Sequence, residues 1–133
     1  MKIALLGGGN VGGALGTAWS RHGHEIYFGV IAGAEVIAKR FSGAKAAKCF
    51  NITGANNMAN LHYRDGNAAM FACSDYADTK ATAMLLASDA GFEIFDLGPL
   101  AKAGLMESFA RLWIWLAYRG GLGREFAFRL VKR

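Results

Sequence analysis

The chain has 133 residues, with 18 glycines, one proline and two cysteines, and it carries a formal charge of +5. That length suits one compact domain that buries roughly two thirds of its unfolded surface, so neither a disulfide framework nor a structural metal is needed to hold it. Cys49 and Cys73 form no CxxC pair and read as small buried residues of a reduced, cytoplasmic protein, and no apolar run reaches the ~20 residues that a bilayer span requires.

Residues 2–7 are a short apolar run closed by glycines, the pattern of a buried parallel strand and too brief for a targeting segment. Residues 11–22 read as a helix, because Val11, Leu15, Ala18 and Trp19 share one face and Gly23 stands at the C-cap. A second strand is expected over 25–30, a short helix over 34–41 and a weaker third strand over 44–51. The polar loop over 53–67 carries turn chemistry at Asn56-Asn57 and Arg64-Asp65-Gly66. A fourth strand follows over 68–73, and Ser74 or Asp75 can cap a helix that ends before Gly91. The fifth strand takes 92–97, Gly98-Pro99 turns the chain, and a long helix takes 101–118. In the tail, Phe126, Phe128 and Leu130 alternate as in a strand, while Phe126 and Leu130 also fit a helix. Strands alternating with helices predict an α/β layer fold with a largely parallel sheet flanked by helices.

One motif carries chemistry. Gly7-Gly8-Gly9-Asn10-Val11-Gly12 is a G-x-G-x-x-G that follows a strand and opens a helix. Gly7 allows the tight turn, Gly9 leaves room for a pyrophosphate, and Gly12 lets the helix pack closely on the strand. The helix N-terminus then offers free N–H groups and partial positive charge to phosphates. The six residues together predict a site for NAD or NADP; the plainer reading is a turn kept for strand–helix packing. After the second strand, Gly29-Val30-Ile31-Ala32-Gly33 supplies neither an acid for a ribose hydroxyl nor an arginine for a 2′-phosphate, so the choice of nucleotide stays open.

Three stretches resemble a known family. They are the glycine turn with Asn10; Lys48-Cys49-Phe50-Asn51-Ile52-Thr53-Gly54 with Asn57-Met58-Ala59; and Asp96-Leu97-Gly98-Pro99-Leu100 continuing through Leu112-Trp113-Ile114-Trp115-Leu116-Ala117-Tyr118 to Gly121-Leu122-Gly123-Arg124-Glu125-Phe126-Ala127-Phe128. All are similar to the coenzyme F420-dependent NADP oxidoreductases, which are related to the reductase domain of the STEAP metalloreductases. The resemblance implies a shortened Rossmann-like NAD(P)-binding domain, because only about residues 31–47 stand where the family has a longer middle segment, with Ile31 where an arginine is common. It implies direct hydride transfer between a nicotinamide and a deazaflavin (F420) or flavin, with no acid–base triad and no assigned catalytic residue. It places Asn51 and Thr53 near the nicotinamide and Gly98-Pro99-Leu100 near the second ring. Strand logic agrees on Asn51, since ligands in open α/β sheets gather at the carboxyl ends of strands; ordinary turn chemistry is the alternative for both residues. Local connectivity would set the third strand outside the second, whereas the resemblance sets it on the far side of the first, the placement preferred here.

The remaining groups read more plainly. His22, His24 and His62 lack metal-ligand spacing, so no metal site is expected. Asp75 and Asp78 read as helix caps, and Glu107 with Arg111 as a surface pair. Trp113, Trp115 and Tyr118 read as core or interface in preference to a flavin platform, since a helix apolar almost all round must be buried. A partner subunit would supply such cover, so the C-terminal helix and tail (101–133) are expected to pack on the sheet or on a second copy, a dimer being favoured. The basic cluster Arg124, Arg129, Lys132 and Arg133 suits a solvated surface tolerant of anionic ligands, without a nucleic-acid motif. Two functions fit: an oxidoreductase of the F420 or flavin type, or a nucleotide-binding module that has lost catalysis and works through self-association or a protein partner.

Overall fold

In the computed structural model, which describes residues 2–6, 10–23, 25–29 and 45–133, the chain opens with a β–α–β unit. Strands β1 (Lys2–Leu6) and β2 (Glu25–Gly29) pair in parallel from Lys2↔Glu25 to Leu6↔Gly29. Helix α1 (Asn10–Arg21) makes the crossover. Its 12 residues span about 18 Å, close to the length of the five-residue strands it must run back along. The helix stops at Gly23, whose φ of 77° takes the left-handed turn that ends it. The helix expected over 34–41 lies outside the described residues.

The second half builds a mixed sheet. Strands β3 (Ala47–Lys48), β6 (Ala69–Ser74) and β7 (Glu93–Gly98) lie in the order β3-β6-β7, with β6 and β7 parallel and β3 antiparallel to β6. Between them a hairpin of β4 (His62–Tyr63) and β5 (Gly66–Asn67) turns at Arg64-Asp65, and a 3-10 turn occupies Asn57–Ala59. Helix α2 (Ala77–Asp89) connects β6 to β7. A 3-10 turn at Leu100–Lys102 then leads into α3 (Ala103–Tyr118). The α/β architecture expected from the sequence is present, and its longest pairings are parallel. Strand β3 departs from expectation twice: it shrinks to two residues, and it pairs antiparallel with β6. Its apolar run was legible, but strand direction is set by tertiary pairing and leaves no mark in local pattern.

Five of the six β6 residues are buried, as a strand covered on both faces must be. Around it Leu15 and Trp19 of α1 join Ile52, Met58, Leu61, Met70, Cys73, Leu86, Phe92 and Met106 in one core. The buried Trp19 indole N–H donates to the Leu86 carbonyl at 2.9 Å, tying α1 to α2 without leaving a polar group unpaired.

Helix α3 buries Ala103, Met106, Trp113 and Ala117. Leu105, Leu112, Ile114, Trp115 (58% exposed) and Tyr118 (62% exposed) remain open to solvent, so the expected all-round burial is not met within one chain. Glu107 pairs with Lys48 at 2.9 Å, not with Arg111 as expected, because β3 brings a lysine closer than the helix neighbour. The tail beyond Gly123 takes no regular structure. Phe126 stacks on Trp113 at 5.3 Å and Phe128 meets Phe109 at 4.9 Å, so the alternation in the tail marks an extended strap lying on α3. Among the described residues no helix is long and apolar enough to cross a membrane.

Candidate functional site

The glycine turn divides at the edge of what is described. Gly7, Gly8 and Gly9 lie outside the described residues, while Asn10, Val11 and Gly12 form the first turn of α1. Strand β1 ends at Leu6 and α1 begins at Asn10, so three residues make the strand-to-helix connection. A helix opening directly behind a glycine turn points its unpaired N–H groups at that turn.

Beyond β3 the backbone makes an unusual bend. Phe50 has a φ of 59°, the left-handed region that a bulky residue avoids. Its ring sits edge-on to Trp19 at 5.1 Å and to Phe92 at 6.1 Å, and these contacts hold the bend. Asn51 follows directly. Its Oδ1 is buried and has no hydrogen-bond partner among the described residues. A buried carbonyl oxygen left unpaired costs free energy, so this atom is an acceptor without a donor.

The loop that carries Asn51 is fixed by two asparagines. Asn57, buried, donates through Nδ2 to Thr53 Oγ1 at 3.1 Å and to the Phe126 carbonyl at 2.8 Å. The two hydrogens of Asn56 Nδ2 are shared among Asn57 Oδ1 at 2.9 Å, the Arg124 carbonyl at 3.1 Å and Glu125 Oε1 at 2.9 Å. The Trp113 indole N–H also reaches the Phe126 carbonyl, at 3.0 Å. Thr53 is therefore buried as an acceptor within the loop, with its own O–H left to donate. Gly54 permits the close approach, because a Cβ there would stand 2.4 Å from the Trp113 ring. Gly54, Ala55, Asn56, Trp113, Tyr118 and Arg124 line an open cavity of about 300 Å³ beside this loop.

The other predicted segment is equally ordered but elsewhere. Lys80 reaches Asp96 at 2.9 Å, Asp96 Oδ1 accepts the Gly98 N–H at 2.7 Å, and Asp75 Oδ1 accepts the Leu100 N–H at 3.0 Å. The Lys80 hydrogen bond, helped by the Gly98 N–H, holds the Asp96 carboxyl below its ordinary range. Asp75 thus fixes the Gly98-Pro99-Leu100 turn and caps no helix; Ser74 Oγ instead accepts the Tyr76 N–H at 3.1 Å. Asp78 bonds the Thr79 N–H and pairs with Lys45.

Strand direction separates the two segments. Because β3 is antiparallel to β6, the chain leaves the Ser74 end of the sheet at Ala47 and travels toward its opposite end. Phe50 accordingly meets Phe92, just before β7 starts, and Phe126 and Phe128 join the loop there through Asn57 and Ala69. Gly98 pairs with Cys73 at the carboxyl end of β6. The expectation that Gly98-Pro99-Leu100 and Asn51 with Thr53 share one crevice is corrected: they stand at opposite ends of the sheet.

Sequence reasoning found Asn51 and Thr53 but read Asn56 and Asn57 only as turn formers. Their bonds run to residues 68 and 69 positions away, a distance no local pattern reports. The cysteines are both free thiols. Cys49 is half-buried, and desolvation pushes its thiol up to about 12, which keeps it protonated near neutral pH.

No family model and no curated protein matches the chain. Its fold does match solved structures. A protein of Arthrobacter sp. FB24, described as a candidate F420-dependent NADP reductase, superposes with a TM-score of 0.83 at 20% identity, covering 99% of this chain and 100% of that one. A hypothetical protein of Sinorhizobium meliloti, SMa0349, aligns at 30% identity with a TM-score of 0.48 over 53% of this chain and 35% of its own. The first likeness establishes a shared Rossmann-like fold.

Proposed function

We propose that the chain binds a nicotinamide dinucleotide, NADP or NAD, and acts as a cytoplasmic oxidoreductase that passes hydride between the nicotinamide and a deazaflavin (F420) or flavin. The observation that carries this reading is the opening unit: a parallel β1–β2 pair with α1 starting three residues after β1, at the glycine motif. In this reading the sequence motif of Gly7, Gly8, Gly9, Asn10, Val11 and Gly12 supplies backbone N–H groups to the pyrophosphate. The Arthrobacter protein of the same fold, described in those terms, lends the reading its chemistry. In this reading residues 31–47 stand in for the longer middle segment that the family resemblance implies.

The ring site is read from the unpaired Asn51 Oδ1, whose vacancy for a donor fits an amide N–H such as the nicotinamide carboxamide. In this reading Thr53, two residues on, offers the ligand its remaining O–H. A bound nicotinamide supplies the hydride chemistry itself. The task left to the protein is to fix ring orientation and keep water away, and the Asn57 network that pins residues 51–57 does the first.

A second reading has its own support. The exposed apolar residues of α3, Leu105, Leu112, Ile114, Trp115 and Tyr118, suit a homodimer contact. The separation of Gly98-Pro99-Leu100 from Asn51 removes one expected half of a redox site. Both favour a nucleotide-binding module that works by self-association without turnover. Titration with NADPH and NADH tests the shared premise: the native chain binds one of them, and Gly9→Val loses it. Unchanged affinity in Gly9→Val would refute the phosphate site. Hydride transfer to F420 or a flavin then separates the two readings, and tight nucleotide binding without turnover selects the module.

A further inference from the structure

Two features that cost free energy stand side by side after β3. Phe50 holds a left-handed backbone, and the next residue buries an oxygen, Asn51 Oδ1, with no partner among the described residues. Glycine or asparagine takes that backbone with little strain, whereas a phenylalanine has to be held in it from outside. Neither a helix end nor a hairpin accounts for the bend, since residues 49–52 belong to no regular element.

What holds Phe50 is a clamp of two buried rings, each anchored separately. The Trp19 indole N–H is committed to the Leu86 carbonyl at 2.9 Å, which fixes the orientation of its ring. Phe92 donates its backbone N–H to the Ala87 carbonyl at 3.0 Å, just ahead of β7. Phe50 meets both rings edge-on, a favoured geometry of aromatic pairs. In an extended chain alternate side chains share a face, so Asn51 would continue the face of Cys49. One left-handed residue breaks that alternation and gives Asn51 a direction of its own.

We infer that Phe50 is a positioning residue, whose clamped left-handed backbone aims the Asn51 Oδ1 at an N–H donor of the ligand. The inference rests on the reading that a nicotinamide carboxamide supplies that donor. The conjunction of the two features argues against simple packing. A ring needed only to fill the core can do so from relaxed backbone, and a bend needed only to turn the chain requires no unpaired acceptor beside it. An acceptor held in one direction also discriminates: a ligand that lacks the N–H leaves the buried oxygen unpaired.

The experiment titrates the full-length chain calorimetrically with NAD and NADP, and with their 3-acetylpyridine analogues, which replace the carboxamide NH2 by a methyl group. ADP-ribose and its 2′-phosphate, which lack the nicotinamide, serve as references. The native chain should bind the carboxamide form roughly tenfold more tightly than its analogue, the size of one buried hydrogen bond. Phe50→Gly accepts the bend but loses both ring contacts, so this ratio should fall to about one while the reference affinity holds. Phe92→Leu keeps residue 50 and removes one side of the clamp; it should lower the ratio partway, and it carries the test alone where Phe50→Gly does not fold. Phe95→Leu, which removes a ring contact with Phe71 at 5.9 Å, should leave the ratio as it was. An unchanged ratio in either of the first two variants, an equal fall in Phe95→Leu, or a parallel loss of reference affinity overturns the inference. A native ratio near one overturns it together with the place given to the carboxamide at Asn51. Failure of the native chain to bind any of these nucleotides overturns the proposed function itself.

Discussion

Replacing Asn57 by alanine should unlock the loop that bears Asn51 and Thr53. The side chain is 3% exposed and takes part in three hydrogen bonds, two donated through Nδ2 and one accepted by Oδ1. Not all are lost without replacement. The Phe126 carbonyl keeps its bond from Trp113, and Asn56 keeps Arg124 and Glu125. The Thr53 hydroxyl loses its donor, and the strap loses one of its two ties to this carbonyl. At about 1 kcal/mol net per bond, with a small cavity added, the cost is about 2 kcal/mol. A chain of this size unfolds with roughly 0.3 kcal/mol per degree of entropy, so the melting temperature should fall about 7 °C. Urea unfolding of the native chain, Asn57→Ala, Trp113→Phe and the double variant supplies the sharper test. In the double variant the Phe126 carbonyl loses both donors, so its loss should exceed the sum of the singles by about 1 kcal/mol. A single-variant effect below about 0.5 kcal/mol, or strict additivity, would refute the claim that this carbonyl joins loop, helix and strap.

Two further outcomes follow from ionisation. The Asp96 carboxyl is held down chiefly by Lys80, so its contribution to stability is present above the ordinary carboxylate range and fades as pH falls through its lowered folded value; Lys80→Met should raise the Asp96 value in an NMR titration, and an unmoved resonance would show that Lys80 does not set it. For Cys49 the sign is reversed: a thiol raised to about 12 by burial contributes fully below the unfolded thiol range and loses that contribution as pH rises toward 12. Alkylation of the half-buried Cys49 at pH 8 should therefore be much slower than that of an ordinary exposed thiol, and labelling at the rate of a free thiol would contradict the raised value.

Most of the first half of the fold was legible because its signals are local. An apolar strand ending in glycines, a helical face of Leu15 and Trp19, and a stop at Gly23 each act within a few residues, and β1, α1 and β2 fall within about a residue of expectation where described. Helix α2 and strands β6 and β7 were readable for the same reason. The β4–β5 hairpin was not, since two-residue strands are too short to show alternation and only the turn at Arg64-Asp65-Gly66 left a trace. Of the candidate site, Asn51 and Thr53 were legible as residues of a recognisable stretch. What each one bonds was hidden, because Thr53 is satisfied through Asn57, and Asn57 through a strap at the other end of the chain.

The direction of β3 matters more for function than any other departure from the sequence reading. A parallel β3 would have carried Asn51 to the carboxyl end of β6 and β7, beside the turn that Asp75 and Asp96 fix. The antiparallel pairing of Ala47 with Ser74 instead sends it toward Phe92 and the C-terminal strap. The strap then becomes part of the site: Phe126 anchors Asn57, Arg124 lines the cavity, and Glu125 accepts from Asn56. Four asparagine hydrogen bonds therefore organise this end of the sheet. Three of them reach the strap itself, and the fourth, to Thr53, braces the loop that receives it. Ligand affinity at this end of the sheet should consequently depend on how firmly the tail is docked, and Asn57→Ala should weaken the hold on the nicotinamide and loosen the tail together, while leaving the glycine turn of α1 untouched.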